Sequence, residues 1–173
     1  MCIRDSTNLV YACFTPYDNH KLDFVERAYS LKSSVAGGSD GGAHCGLICD
    51  ASMPTTNLSH WARDREAGKK IPIELIVRKQ TKDTAETYGL FDRGEIKTGM
   101  LADLNIIDFE KLNVTHPKMV YDLPLGGRRL IQTSSGYLAT VKSGEVVYEA
   151  GEATGVLPGK LIRGKQTLSL IHI

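Results

Sequence analysis

At Gly94 the apolar pattern of this chain changes period, and the change limits the folds open to it. Before Gly94, apolar residues recur at helical spacing: Leu22, Val25 and Tyr29, then Leu58, Trp61 and Ala62, then Ile73, Ile76, Val77 and Ala85. After Gly94 they alternate in short β-branched runs divided by turn signals. Neither an all-α nor an all-β fold accommodates both halves, so the class is α/β.

The helical half divides further. Asp18 or Asn19 can cap a helix over residues 22–29. Pro54-Thr55-Thr56 opens a second helix, with Leu58, Trp61 and Ala62 inward, Arg63, Asp64, Arg65 and Glu66 on the wet face, and Gly68 as its stop. Pro72, favoured in a first turn, opens a third that runs to Tyr88-Gly89. Two apolar runs, residues 9–14 and 34–38, read as strands. Strand, helix and strand within about thirty residues form a parallel α/β unit.

In the second half, residues 102–109, 119–123, 129–133, 137–142 and 145–149 read as strands. Val141 to Val147 makes a hairpin around Ser143-Gly144. A domain boundary is expected near residue 98. The hairpins, satisfying one another locally, are expected to be the best-protected part, and the third helix to have little against its apolar side.

The segment Ser39-Asp40-Gly41-Gly42-Ala43-His44 follows the second predicted strand. A carboxylate at a strand's end, with glycines beyond it, stands where an α/β enzyme keeps a general base or metal ligand. An Asp-Gly turn is the plainer reading of the same six residues.

The 173 residues carry a net charge of +1, and no basic face recurs, which argues against nucleic acid as a partner. No apolar run approaches the ~18 residues of a membrane span, and the start shows no secretory leader pattern. A soluble, cytoplasmic protein is expected. Cys45 and Cys49 are separated by three residues rather than the two of a zinc knuckle or redox pair, and read as buried, reduced thiols. Residues 1–6 and 168–173 match neither the periodicity nor the chemistry beside them, and are expected to be non-native ends.

Six pieces lie in order along the chain. They are Ser39 to His44; Ile48 to Ser52; Trp61 to Arg65; the run Thr81, Ala85, Tyr88-Gly89-Leu90, Asp92-Arg93-Gly94, Gly99, Ala102-Asp103-Leu104; Tyr121 to Pro124 with Gly126 to Arg129; and Thr154-Gly155 with Pro158-Gly159. Together they resemble the C-terminal part of a metal-dependent amidohydrolase, in its N-acyl-D-amino-acid deacylase (D-aminoacylase-like) branch. The resemblance covers nearly everything between Thr7 and Gly164.

It implies the C-terminal portion of a (β/α)8 TIM-type barrel over residues 7–98 and a small β-sandwich-like domain over residues 99–166. In that superfamily the last barrel strand ends in an aspartate at the metal centre, and the matching residue is Asp40. The resemblance gives Asp40 the general acid/base role, taking a proton from metal-bound water and passing it to the leaving amine. A metal lowers the pKa of bound water to about 7, so a carboxylate needs little tuning for that task.

His44 is the candidate substrate-binding residue; bonding a substrate carboxylate, orienting Asp40 and packing at the barrel mouth remain open for it. Asp50 reads as a turn or cap residue. Arg128-Arg129 reads as an anion site or as a strand edge after the Gly126-Gly127 turn. The implied cofactor is zinc, and the implied partner a small-molecule N-acyl amino acid. A catalytic zinc takes about three protein ligands. The family's His-x-His occurs nowhere in this sequence, so the zinc ligands are expected mostly in strands upstream, and no residue here is assigned as one. A cyclic-amide or ureido hydrolase of the same superfamily, and a non-catalytic β-rich module, are the competing readings.

Overall fold

The computed structural model describes residues 22–36, 39, 41–42 and 44–167. Helices come first: α1 (Asp23–Ser30), α2 (Met53–Thr56) running directly into a π-helix (Asn57–Asp64), α3 (Ile73–Gln80) and α4 (Lys82–Thr87). Strands follow: β1 (Leu104–Ile107), β2 (Asn113–Val114), β3 (Lys118–Leu123), β4 (Gly127–Ile131), β5 (Ser134–Ser135), β6 (Tyr137–Lys142), β7 (Glu145–Glu149) and β8 (Glu152–Ala153). They form a four-stranded sheet in the order β1-β6-β7-β8 and two ribbons, β2-β5 and β3-β4, all antiparallel. The mixed α/β class is therefore observed. No helix among the described residues is long and apolar enough to cross a membrane.

The local signals held where partners are close in sequence. β6 and β7 occupy the expected residues, with Lys142 opposite Glu145. Ser143 (φ 54°) and Gly144 (φ 85°) both take the left-handed conformation that a tight two-residue hairpin turn requires. α1 covers the Val25–Tyr29 face as read, but Leu22 rather than Asp18 or Asn19 stands at its N-cap.

Other expectations fail for physical reasons. The third helix breaks at Thr81 (φ −117°, ψ −87°) into α3 and α4. There the Thr81 hydroxyl donates to the Val77 carbonyl (2.7 Å) and the Thr84 hydroxyl to the Lys79 carbonyl (2.7 Å), competing with the helix for its acceptors. Ser34–Ala36 is not a strand. The Leu31 and Ser34 carbonyls accept from the Lys79 ammonium, and the Ser34 amide turns back to Leu31 (3.3 Å), so a ladder has little left to use. Residues 37–38 and the expected strand over 9–14 lie outside the described residues.

Arg65, expected on the wet face, is buried. Its guanidinium carbon sits 4.3 Å from the Trp61 ring centre, and Nη2 donates to Asp23 on α1 (2.8 Å). Gly68, read as a helix stop, is instead what leaves room for this pair. A Cβ there would lie 2.6 Å from both Arg65 Nη2 and Asp23 Oδ1. The helix has already ended at Asp64, where the Arg65 amide closes a wide turn onto the His60 carbonyl (2.8 Å).

The core also differs from expectation. Leu58, Trp61, Ile71, Ile76 and Ala85 are buried in the helical half, and Leu112 is the buried apolar residue of the stranded half. Ile76 and Leu112 are fully enclosed, and Val25, Tyr29, Ile107, Phe109 and Tyr137 pack around the cluster. The third helix thus packs Ile73 and Ile76 against apolar neighbours, while Val77 stays exposed. Arg63 on the π-helix secures the join, donating to the carbonyls of Phe109, Glu110 (3.2 Å) and Leu112 (2.7 Å) while gripping Asp64 at 2.6 and 2.8 Å.

A partly buried ion network fixes the start of β1. Lys142 Nζ lies 2.9 and 3.0 Å from the two Asp103 carboxylate oxygens, the Ser143 amide donates to one of them (2.8 Å), and Arg93 Nη1 is 3.5 Å away. Burial alone would raise the Asp103 carboxyl, but these donors outweigh it and hold the group below the usual carboxylate range. The hydrogen bond from Arg93 holds Asp92 low as well.

Two tests follow from the core. Ile76→Ala should cost about 2–5 kcal/mol in urea unfolding, because it opens a cavity in a fully enclosed site. Gly136→Ala should cost more than about 1 kcal/mol, since its φ is 91° and a Cβ would stand 2.6 Å from Leu112 Cα. A third concerns acid. Carboxyls whose folded values are depressed stabilise the fold above the unfolded value of about 3.9 and lose that contribution as pH falls through the folded values. The unfolding midpoint should therefore drop below about pH 4, and Asp103→Asn should flatten part of that slope.

Candidate active-site loop

The loop after α1 is built from turns and tied down by the β3-β4 ribbon. Gly41 and Ala51 face each other closely; a Cβ on Gly41 would lie 3.3 Å from that of Ala51. Between them His44 takes a left-handed backbone (φ 43°), uncommon outside glycine, and its carbonyl accepts from the Leu47 (2.7 Å) and Ile48 (3.0 Å) amides. The Cys45 carbonyl accepts from the Leu130 amide on β4 (2.7 Å), and Gly46 lies against Arg128. At the loop's exit the Ser52 hydroxyl donates to Gln132 Oε1, and Gln132 Nε2 donates to the Thr115 carbonyl (2.7 Å). One turn into the helix, Thr55 and Tyr137 share a hydroxyl hydrogen bond of 2.8 Å.

Asp40 and Ala43 lie outside the described residues. His44 is exposed on the turn, which places its ring at the loop surface rather than in the packed interior. Asp50 is exposed, and its carbonyl accepts from the Met53 amide (2.9 Å) at the start of α2, so it occupies the turn before the helix as expected. Arg129 is held by Asp122 in a two-pronged pair at 2.8 and 2.7 Å across the β3-β4 ribbon. That pairing fits a strand edge and leaves Arg129's fork already occupied. His60 stacks edge-to-face on Trp61, with ring centres 5.5 Å apart, and His116 is exposed.

Among the described residues no three His, Cys, Asp or Glu side chains come close enough to hold a metal ion. Those residues alone do not make a metal centre.

Sequence reasoning missed the side chains that hold the loop. Nothing in the sequence marks Ser52, Thr55, Gln132 and Tyr137 as partners, and only their pairing across some 80 positions gives them that role. Lys79, which carries no signal in the sequence, is buried too.

Cys45 and Cys49 are free, half-buried thiols. Burial, with the neighbouring Asp50 charge adding to it, pushes the Cys49 thiol up. The thiolate is the reactive form, so Cys49 should be alkylated more slowly than a model thiol near neutral pH. Mass-spectrometric mapping of iodoacetamide labelling should show its rate still climbing above pH ~8.5, the ordinary cysteine value.

Comparison with curated proteins and with solved structures gives no match. The family model described as the amidohydrolase family matches residues 20–148, a span that runs from before α1, through the loop and the later helices, into β7. A match over so much of the sequence shows the family, and the chain belongs to the amidohydrolases.

Proposed function

We propose that this chain belongs to a hydrolase of linear carbon–nitrogen amide bonds that removes the acyl group from N-acyl-D-amino acids, with zinc as its metal. Amidohydrolases are generally metal-dependent hydrolases of small molecules, and that coarser description holds for the chain by membership. In the finer reading, residues 7–98 are closing units of a (β/α)8 barrel and residues 99–166 a small β-sandwich-like domain. The observation that carries the reading is the family match running through the Ser39–His44 segment, on a loop anchored to β4 through the Cys45 carbonyl.

Asp40 acts as general acid/base. Its carboxylate accepts a proton from the attacking water and returns it to the leaving nitrogen, which departs as a neutral amine. His44, four residues further along and exposed, donates a hydrogen bond to the carboxylate of the substrate.

The test uses the enzyme assembled from this chain together with the metal-ligating strands of its gene. Asp40→Asn should lower kcat by ~10²–10⁴-fold with the circular dichroism spectrum retained. His44→Ala should act mainly on KM. An Asp40→Asn enzyme keeping more than about a tenth of wild-type kcat would remove Asp40 from the reaction. The 173-residue chain by itself, with no His-x-His in its sequence, should bind zinc weakly and turn over no N-acetyl-D-amino acid.

A further inference from the structure

The β3-β4 ribbon closes on Pro124-Leu125-Gly126-Gly127, where the Gly127 amide donates to the Pro124 carbonyl. Both central residues are left-handed, Leu125 with φ 59° and ψ 25° and Gly126 with φ 73°. A two-residue hairpin turn of that hand favours Asn, Asp or Gly at its first centre, because a bulky side chain there crowds its own backbone. Leu125 is fully exposed, so no burial offsets that strain. Leu47 (79% exposed) on the loop and Tyr121 (64%) on β3 also leave large apolar surfaces in water. An unfavourable backbone kept under an unburied leucine points to a use outside the fold.

The same ribbon carries a free cation. Arg128 and Arg129 are neighbours on β4, where successive side chains turn to opposite faces. Arg129 is closed by its two-pronged pair with Asp122 (2.8 and 2.7 Å). Arg128 is exposed, and among the described residues its guanidinium has no hydrogen-bond or ion-pair partner. Its stem runs over Gly46, where a Cβ would lie 3.8 Å from Cγ and 3.9 Å from Nε. The guanidinium is thereby carried to the turn that bears His44 and Leu47. The ladder passes from Val120 opposite Arg129 to Leu123 opposite Gly127, which leaves Tyr121 and Asp122 across the ribbon from Arg128. Asp122 is already committed to Arg129, so Tyr121 is the cross-strand neighbour left to Arg128.

We propose that the ribbon and the turn it holds form a binding surface for a small molecule with a carboxylate next to an apolar group. Arg128 takes the carboxylate, and Leu47 and Leu125 take the apolar part. Two parallel N–H groups of a guanidinium match the two oxygens of a carboxylate, a geometry that a single ring N–H of His44 does not offer. An N-acyl amino acid has the required form, with one carboxylate, one neutral amide and an apolar acyl group or side chain. Equating this ligand with the substrate rests on the function proposed above; the surface itself does not.

The surface is read on the 173-residue chain by arginine-selective labelling with phenylglyoxal, mapped by mass spectrometry. Arg128 should label faster than Arg129, Arg63 and Arg65, whose guanidiniums already have partners. N-acetyl-D-leucine should slow labelling at Arg128 at concentrations where N-acetyl-D-leucinamide, which lacks the charge, has no effect. Acetate, which lacks the apolar part, should protect about tenfold more weakly. Leu125→Gly suits the left-handed turn, so the urea midpoint should stay unchanged or rise, yet protection by N-acetyl-D-leucine should weaken about tenfold. Equal protection by acetate, or none by N-acetyl-D-leucine, overturns the proposal without any variant having to fold. A Leu125→Gly chain that is less stable but protected as before overturns it too, because the leucine then serves the fold.

Whether the ligand is the substrate is read separately, in the assembled enzyme. Arg128→Met keeps most of the stem and removes the fork. It should raise KM for N-acetyl-D-leucine by about 10–100-fold, with the loss falling on KM rather than kcat, since the pair is made equally in the ground and transition states. An unchanged KM overturns the assignment of this surface to the substrate. If the assembled enzyme turns over no N-acyl-D-amino acid at all, it is the proposed function that has failed, and the labelling pattern still decides the surface.

Discussion

Leu112 and Ile76 touch no solvent, and the cluster they share with Leu58, Trp61 and Ile71 joins the two halves of the chain. Leu112 lies in the loop after β1, yet its carbonyl is held by Arg63 from the π-helix and its backbone is covered by Gly136 before β6. Burial supplies the free energy and the arginine fork supplies the register. Removing the guanidinium would leave the Phe109 and Leu112 carbonyls short of a donor at the edge of a close-packed site, where an unmade hydrogen bond costs more than a made one contributes. The helices and the four-stranded sheet are thus parts of one packed body, even though the sequence pattern changes abruptly between them.

What could be read from the sequence follows the distance between partners. The β6-β7 hairpin and the α1 face depend on residues within a few positions of each other, so period and turn chemistry sufficed for both. The break at Thr81 is local too, but it comes from hydroxyls competing for carbonyls, which an apolar periodicity does not register. Ser34–Ala36 and Arg65 are different cases. An apolar run looks like a strand until a lysine 45 positions away takes its carbonyl. An Arg-Asp-Arg-Glu run looks solvated until Trp61 offers a ring and Gly68 a gap. The loop motif was legible as chemistry; the side chains holding it were not, because Ser52–Gln132 and Thr55–Tyr137 exist only after folding.

The two cations buried among the described residues are each held by partners on α1, although Arg65 Nε itself donates to none. Arg65 is stacked on an indole and paired with Asp23, and Lys79 is given two carbonyls and a carboxylate. Each connects α1 to a later helical element, Arg65 from its first turn and Lys79 from its C-cap. An apolar residue in either place could fill the volume, but it would leave the Leu31 end of α1 or the Asp23 carboxylate without that partner. These charges fix how α1 sits and in which direction the chain leaves it.

The stranded half depends on the loop as much as the loop depends on it. After Gly94 the only buried apolar side chain among the described residues is Leu112, so the ribbons gain little from burial of their own. A two-stranded ribbon is marginal in water unless something packs or bonds against it. For β3-β4 that something is the turn from His44 to Ser52: Leu130 donates to Cys45, Arg128 lies on Gly46, and Gln132, just past β4, meets Ser52. The coupling runs in both directions, because the ribbon that orders the loop is ordered by it. A substitution in β4 that shifts the Leu130 amide acts on the loop with no contact to a substrate. A ligand that rigidifies the loop returns the same free energy to the ribbon, since binding and local folding are linked through a shared equilibrium.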